Sequence, residues 1–145
     1  MTDTTLPVFE HTLVLTNEWL DDVAAALGTD DQHRAYQALR ATLHALRDRV
    51  TPEEVAQLGA QLPLLLRGSY YEGWHPAHKP LKERHVEQFL GHVQVDVPGG
   101  DAEEIVRAVF GVLSARISDG EVEDLVNMLP AGVRALWPEP IARAT

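Results

Sequence analysis

The chain has 145 residues, of which 45% are hydrophobic and 23% are charged, and its 22 acidic and 12 basic residues give a formal net charge of −10. This composition is typical of one globular domain, and the absence of cysteine excludes disulfides, thiolate metal sites and a cysteine nucleophile. The acidic balance argues against a nucleic-acid partner, because proteins of that class gather lysine and arginine on one face.

The pattern of apolar residues predicts eight helices in chain order, at residues 17–27, 31–50, 52–62, 64–71, 81–95, 102–117, 119–129 and 131–137. Two of these helices repeat apolar side chains every three or four residues, which is typical of a helix that faces a core. The residues concerned are Leu39, Leu43, Leu46 and Val50 in one helix and Val106, Phe110, Leu113 and Ile117 in the other. No segment has a convincing strand pattern, so the sequence predicts an all-α fold.

Capping signals mark where the helices at 52 and 119 begin. Thr51 and Ser118 each precede a glutamate by three residues, namely Glu54 and Glu121. This spacing predicts a capping box, in which the hydroxyl accepts from the glutamate amide and the carboxylate reaches back to the amide of the capping residue. The prolines at 63 and 130 then end these helices, because proline cannot donate to the preceding turn.

The two halves of the chain resemble each other. Residues 35–70 align with residues 102–137 without a gap, and 11 of the 36 positions are identical. This similarity predicts a single helical-bundle domain over residues 1–145 that is built from two related, pseudo-symmetric helical repeats. The first repeat covers residues 17–71 and the second covers residues 81–137. The connector between them, residues 72–80, contains the helix breakers Gly73, Pro76 and Pro80.

The residues of both halves carry a family resemblance. The runs at 38–49 and 61–74, together with Gly120-Glu121 and Leu129-Pro130, resemble the bacterial domain-of-unknown-function family 2267. The resemblance extends from about residue 9 to residue 138. It implies an all-helical, cytoplasmic bacterial protein, and it assigns no activity and no catalytic residue.

Histidines in and after the connector are candidates for metal binding. His75, His78 and His85 follow Glu72, which precedes His75 in a Glu-x-x-His arrangement. These four residues are the candidate metal ligands. His85 and His92, seven residues apart on one helix, would lie about 10.5 Å apart along its axis, which is too far for one zinc ion. The alternative is that these histidines are solvated surface residues, and no cofactor is predicted.

Aromatic residues beside the connector are candidates for binding a partner or a ligand. Tyr71 and Trp74 have no counterparts in the second half, whereas Tyr70 matches Trp137. Clustered aromatic rings can anchor a partner, because they supply contact area with few rotamers to freeze. We therefore predict a binding surface at Tyr71, Trp74, His75 and Lys79. The alternative is that the rings pack against the core.

Arginines at matching positions of the two halves point to a role in the fold. The matched pairs are Arg40 with Arg107, Arg49 with Arg116, and Arg67 with Arg134. We expect structural ion pairs, with Glu54 and Glu121 as candidate partners; the alternative is a site that binds carboxylates or phosphates. The acidic run Glu121, Glu123 and Asp124 is expected to form a solvated helix face.

Together these features favour a non-catalytic module that binds a protein partner, or a second copy of itself, through the surface near residues 71–85. The alternative is a small-ligand- or metal-binding protein, conceivably an enzyme, that uses the histidine-rich segment. The only basic patch comprises Lys79, Lys82, Arg84 and His85, and no nucleic-acid partner is predicted. Residues 1–16 lack a secretion signal and no apolar stretch is long enough to span a membrane, so we expect a cytoplasmic protein without a membrane partner.

Overall fold

The computed structural model describes residues 6–138 and confirms the all-α prediction. Within this range the chain forms eight helices and no strand. The helices are α1 (Pro7–Leu27), α2 (Gln32–Arg47), α3 (Pro52–Ala60), α4 (Leu64–Tyr71), α5 (Val86–Asp96), α6 (Ala102–Arg116), α7 (Asp119–Met128) and α8 (Ala131–Arg134). None of the helices in this part of the chain combines the length and apolarity that a membrane crossing requires.

Two helix starts differ from the prediction. Helix α1 begins at Pro7 rather than at residue 17, because proline suits the first helical position and its fixed φ favours the helix there. Helix α5 begins at Val86 rather than at residue 81. The side-chain oxygen of Gln88 accepts from the amide of His85 at 3.2 Å, and upstream the amide of Leu81 is bonded to the carbonyl of Asp48 at 2.8 Å, outside any helix.

Helices α2 and α6 form the centre of the bundle. Helices α1 and α5 each pack against both of these helices, and α4 contacts α1 and α2. The predicted apolar stripes are buried, and they include the fully enclosed Leu39, Leu43, Leu46, Phe110 and Leu113. Trp137 stacks on Phe110 with ring centroids 4.1 Å apart, and the buried hydroxyl of Tyr70 donates to the carbonyl of Val55 at 2.8 Å.

Arginine side chains close the corners between α3 and α4 and between α7 and α8. Arg67 donates from Nε to the carbonyl of Gly59 at 2.8 Å, and Arg134 donates from Nε to the carbonyl of Val126 at 3.2 Å. Each arginine also donates from Nη2 to the carbonyl of the residue before the corner proline, at 3.0 and 3.4 Å. Each bond in the first half joins residues with the same separation along the chain as its counterpart in the second half. That the two halves descend from a duplicated unit stays a prediction.

Two other matched arginines form ion pairs as expected, but the expected partners are wrong. Arg49 is paired with Glu83, in the segment between α4 and α5, and Arg116 is paired with Asp22 of α1 at 2.8 Å. Neither contacts the cap glutamates of α3 and α7, because each guanidinium extends toward an acid on a different element.

A buried arginine of α2 fixes the end of α4. Arg47 donates from Nη1 to the carbonyls of Tyr70 and Glu72 at 2.6 and 2.8 Å. Its Nε also pairs with Asp48 at 3.0 Å, and both side chains are about nine-tenths buried. The last carbonyls of a helix have no partner within the helix, so the guanidinium supplies donors that α4 could not find in its own backbone.

We predict that Arg47→Met lowers the free energy of unfolding by about 3 kcal/mol, because it leaves the buried Asp48 carboxylate and two carbonyls without their donor. Urea unfolding measures this loss. Arg107→Met is the matched control, since Arg107 is half exposed and its ion pair with Glu103 lies on the surface; its expected effect is within about 0.5 kcal/mol. Equal losses in the two variants would contradict the anchoring role.

Helix α2 also contributes a buried histidine to the same junction. The Nε2 of His44 is 2.7 Å from the carbonyl oxygen of Ser69. Burial lowers the pKa of His44 below its ordinary value of 6.5; the bond to Ser69 opposes this shift, and the nearby charges of Arg47 and Arg40 reinforce it. The folded state therefore favours the neutral imidazole.

This lowered pKa predicts a pH-dependent stability. Below the ordinary value of 6.5, the unfolded chain binds a proton that the folded chain resists, so the contribution of His44 is present above that pH and is lost as the pH falls. In His44→Gln the amide can still donate to Ser69 but does not titrate. We expect the stability advantage of the unaltered chain to shrink between about pH 7 and about pH 5 in urea unfolding. A constant difference would contradict the assignment.

Candidate functional site

The predicted aromatic residues lie against the body of the protein. Tyr71 and Trp74 are half buried, and their ring centroids are 6.0 Å apart. The Tyr71 hydroxyl occupies the space beside Gly59, where an added Cβ would lie only 2.7 Å away. Within residues 6–138 the buried Nε1 of Trp74 has no hydrogen-bond partner. Both rings therefore pack onto the core, and a partner-binding role for Tyr71, Trp74, His75 and Lys79 stays a prediction.

The four candidate metal ligands are not brought together. Glu72 pairs with Arg40 at 3.0 Å, while His75, His78 and His85 are exposed. In the described part of the chain, the one group of three or more potential ligand side chains with closely spaced atoms lies elsewhere. The chain turns twice in this segment, with positive φ at Gly73 and His78.

That other group lies where α3 packs against α7. As predicted, the hydroxyls of Thr51 and Ser118 accept from the amides of Glu54 and Glu121, at 3.3 and 3.2 Å. The second half of each predicted capping box is absent from the described structure. The two carboxylates instead approach each other, because α3 and α7 pack together at these positions.

Carboxylate oxygens of Glu54, Glu121 and Asp124 lie within 4.8 Å of one another; we call these three residues the acid cluster. The glutamates are 4% and 5% exposed, so the expectation that Glu121 lies on a solvated face is wrong, whereas Asp124 is exposed. Burial raises the pKa of Glu121 above its ordinary value, and the nearby carboxylates of Glu54 and Asp124 raise it further. Two buried carboxylates this close require a shared proton or a cation.

A second feature is an apolar surface at the beginning of α1, in turns that precede the predicted start of this helix at residue 17. Leu6, Phe9 and Leu13 recur at spacings that place them on one side of the chain as α1 begins, and each is about half exposed. The amide of Leu65 donates to the hydroxyl of Thr12 at 3.1 Å, which holds the exposed leucines of α4 beside α1. We call the surface formed by Leu6, Phe9, Leu13, Leu64 and Leu65 the apolar face.

The predicted basic patch is divided by an acidic residue. Lys82 and Arg84 line a surface cavity of about 570 Å³ between the segment that joins α4 to α5 and the corner of α7 and α8. Glu83 lines the same cavity and pairs with Arg49. Its carboxylate lowers the local positive charge that a polyanion would require.

Comparison with known proteins gives the family. A family model described as "Uncharacterized conserved protein (DUF2267)" matches residues 16–136. The match covers most of the chain and confirms the predicted resemblance to family 2267. A comparison with curated proteins finds none that matches this chain.

We predict that Glu121→Gln raises the free energy of unfolding by about 1 kcal/mol near neutral pH in a buffer containing a chelator. Burial raises the pKa of Glu121 to about 8, so near neutral pH the folded chain must hold a proton that the unfolded chain releases, which lowers stability. The amide of glutamine is neutral without that proton and can donate to Glu54. Urea unfolding measures the gain, and Glu123→Gln on the exposed side of α7 is the matched control, with an expected change below about 0.5 kcal/mol. A loss of stability in Glu121→Gln would contradict this cost of burying the acid.

Proposed function

We propose that this chain, which belongs to the family of uncharacterized conserved proteins DUF2267, is a helical interaction module that binds a second copy of itself through the apolar face. The observation that supports this proposal is the exposure of five large apolar side chains together. Their exposed fractions lie between 47% and 57%. Single exposed apolar residues are ordinary, but a group of them marks an interaction surface.

The size of the apolar face favours a weak dimer over a permanent one. Complete burial of one such side chain contributes about 1.5–3 kcal/mol. Covering the exposed halves of five side chains on each of two copies therefore contributes about 10 kcal/mol. Association costs about 4–15 kcal/mol in lost freedom of motion. Because the two terms are similar, the dimer should form and dissociate with concentration.

The charge distribution favours a copy of the same chain as the occupant. The chain carries a formal net charge of −10, so most pairings of its surface would bring acidic groups together. Between Leu6 and Thr16, in contrast, Glu10 and His11 are the only ionisable side chains. A two-fold dimer joins the same patch of both copies, so contact here adds little repulsion while it removes apolar surface from water.

The face also has the geometry of a helix-packing surface. Phe9 and Leu13 are four residues apart on α1, and Leu64 and Leu65 begin α4 beside them. Side chains spaced in this way form a ridge that can pack between the ridges of a second helix. An antiparallel pair of α1 helices would bring the two copies of Phe9 and Leu13 together.

The test is sedimentation equilibrium or native mass spectrometry of the untagged chain, from about 1 μM to about 1 mM, a range that covers weak dimers. We expect a monomer–dimer equilibrium that Phe9→Glu or Leu65→Glu weakens at least tenfold, because each places a carboxylate in the contact. Val95→Glu is the matched control, because Val95 is 78% exposed and lies on α5. Dimerisation of this variant should be unchanged. Circular dichroism checks that each variant is folded.

Other outcomes would overturn the proposal. A monomer at every concentration would exclude the second copy as the occupant. Dimerisation that resists both glutamate variants but is lost in Trp74→Ala would place the contact at the predicted aromatic segment instead. A fixed extra mass on a monomer in the native spectrum would favour the alternative of a ligand-binding protein.

A further inference from the structure

We propose that the acid cluster, Glu54, Glu121 and Asp124, binds a hard divalent cation, and that Ca²⁺ is the ion it fits best. The site lies where α3 packs against α7, on elements separate from the apolar face of α1 and α4. The inference therefore does not depend on self-association.

The spacing of the ligand atoms selects the class of ion. Calcium binds oxygen at about 2.3–2.6 Å, so two oxygens on one ion lie at most about 5 Å apart. The three carboxylates meet this limit, with oxygens all within 4.8 Å of one another. Magnesium demands a near-ideal octahedron, usually keeps several waters, and binds through one or two carboxylates, so a group of three carboxylates suits it less well. An all-carboxylate set without histidine or cysteine does not suit zinc.

Unpartnered oxygens inside the protein are the second observation. The Oε2 atoms of Glu54 and Glu121 are both buried, and neither has a hydrogen-bond partner among residues 6–138. A buried carboxylate oxygen without a partner is costly. One shared proton would satisfy a single contact between the glutamates, whereas an ion coordinated by all three residues would satisfy both orphan oxygens and Asp124 as well.

No side chain in the described part of the chain neutralises this charge. None of the ion pairs within residues 6–138 includes Glu54, Glu121 or Asp124. The arginines that were expected to pair with the two glutamates, Arg49 and Arg116, are paired with acids elsewhere. The cluster therefore lacks the cationic partner that buried carboxylates normally have.

The surroundings supply further ligands and a way in. A surface cavity of about 330 Å³ is lined by Glu54 and Asp124, and also by Gln57 and Asn127. Calcium takes six to eight oxygens, and amide carbonyls and water are among its usual ligands. The cavity offers the side-chain amides of Gln57 and Asn127 and an opening to solvent. The ion can therefore enter beside Asp124 and complete its coordination sphere with water.

Calorimetric titration of the chelator-treated full chain with CaCl₂ tests the proposal, with MgCl₂ titrated in parallel. We expect saturable binding of one Ca²⁺, a higher melting temperature with Ca²⁺, and weaker binding of Mg²⁺. Glu54→Gln, Glu121→Gln and Asp124→Asn should each weaken Ca²⁺ binding about tenfold or more. Glu123→Gln is the matched control, because Glu123 is an exposed neighbour outside the cluster, and its affinity should be unchanged.

A spectroscopic readout separates site occupancy from effects on folding. Tb³⁺ replaces Ca²⁺ in oxygen sites, and the hydroxyl of Tyr70 is bonded to Val55, the residue after Glu54. Excitation of tyrosine should therefore give Tb³⁺ luminescence that CaCl₂ competes away and that Glu54→Gln removes. Absence of Ca²⁺ binding, equal loss in Glu123→Gln, or retained affinity in a folded Glu54→Gln/Glu121→Gln double variant would each overturn the proposal.

Discussion

The complete burial of the second half of α2 is the constraint on which the rest of the structure depends. Residues 41–50 are buried without exception, although this segment contains His44, Arg47 and Asp48. Polar groups in such a position must find partners inside the protein. The side chains of His44 and Arg47 find them in the last carbonyls of α4, and the backbone carbonyl of Asp48 accepts from the amide of Leu81. The central helix therefore fixes the end of α4 and the position of the backbone at Leu81.

The two proposed sites are placed by the corner that follows α3. Arg67 bonds the end of α3 to the start of α4, so the helix that carries Glu54 and the helix that carries Leu65 are held at a fixed angle. One helix faces α7 with its buried carboxylate, and the other faces α1 and solvent with its leucines. The acid cluster and the apolar face thus use adjacent short helices and share no residue.

The sequence predicted those features that depend on neighbours along the chain. The caps at Thr51 and Ser118 and the corner prolines are local signals, and the apolar stripe of α2 repeats with the helical period, so all of these are confirmed. The burial of Glu121 could not be predicted, because it depends on the approach of α3 to α7. The first turns of α1 were missed for a different reason. They carry exposed apolar residues on more than one side, with Val8 and Val14 beside Phe9 and Leu13, so the pattern shows no single core-facing stripe.

The close packing of Tyr71 against Gly59 has a consequence for the order in which the chain folds. Helix α3 has nine residues, and helices this short are unstable alone, more so with an interior glycine. Its contact with Tyr71 needs that glycine, since a methyl group there would meet the phenol oxygen. Helix α4 has only eight residues and contains Gly68, so the same reasoning applies to it, and the two helices should acquire their structure together.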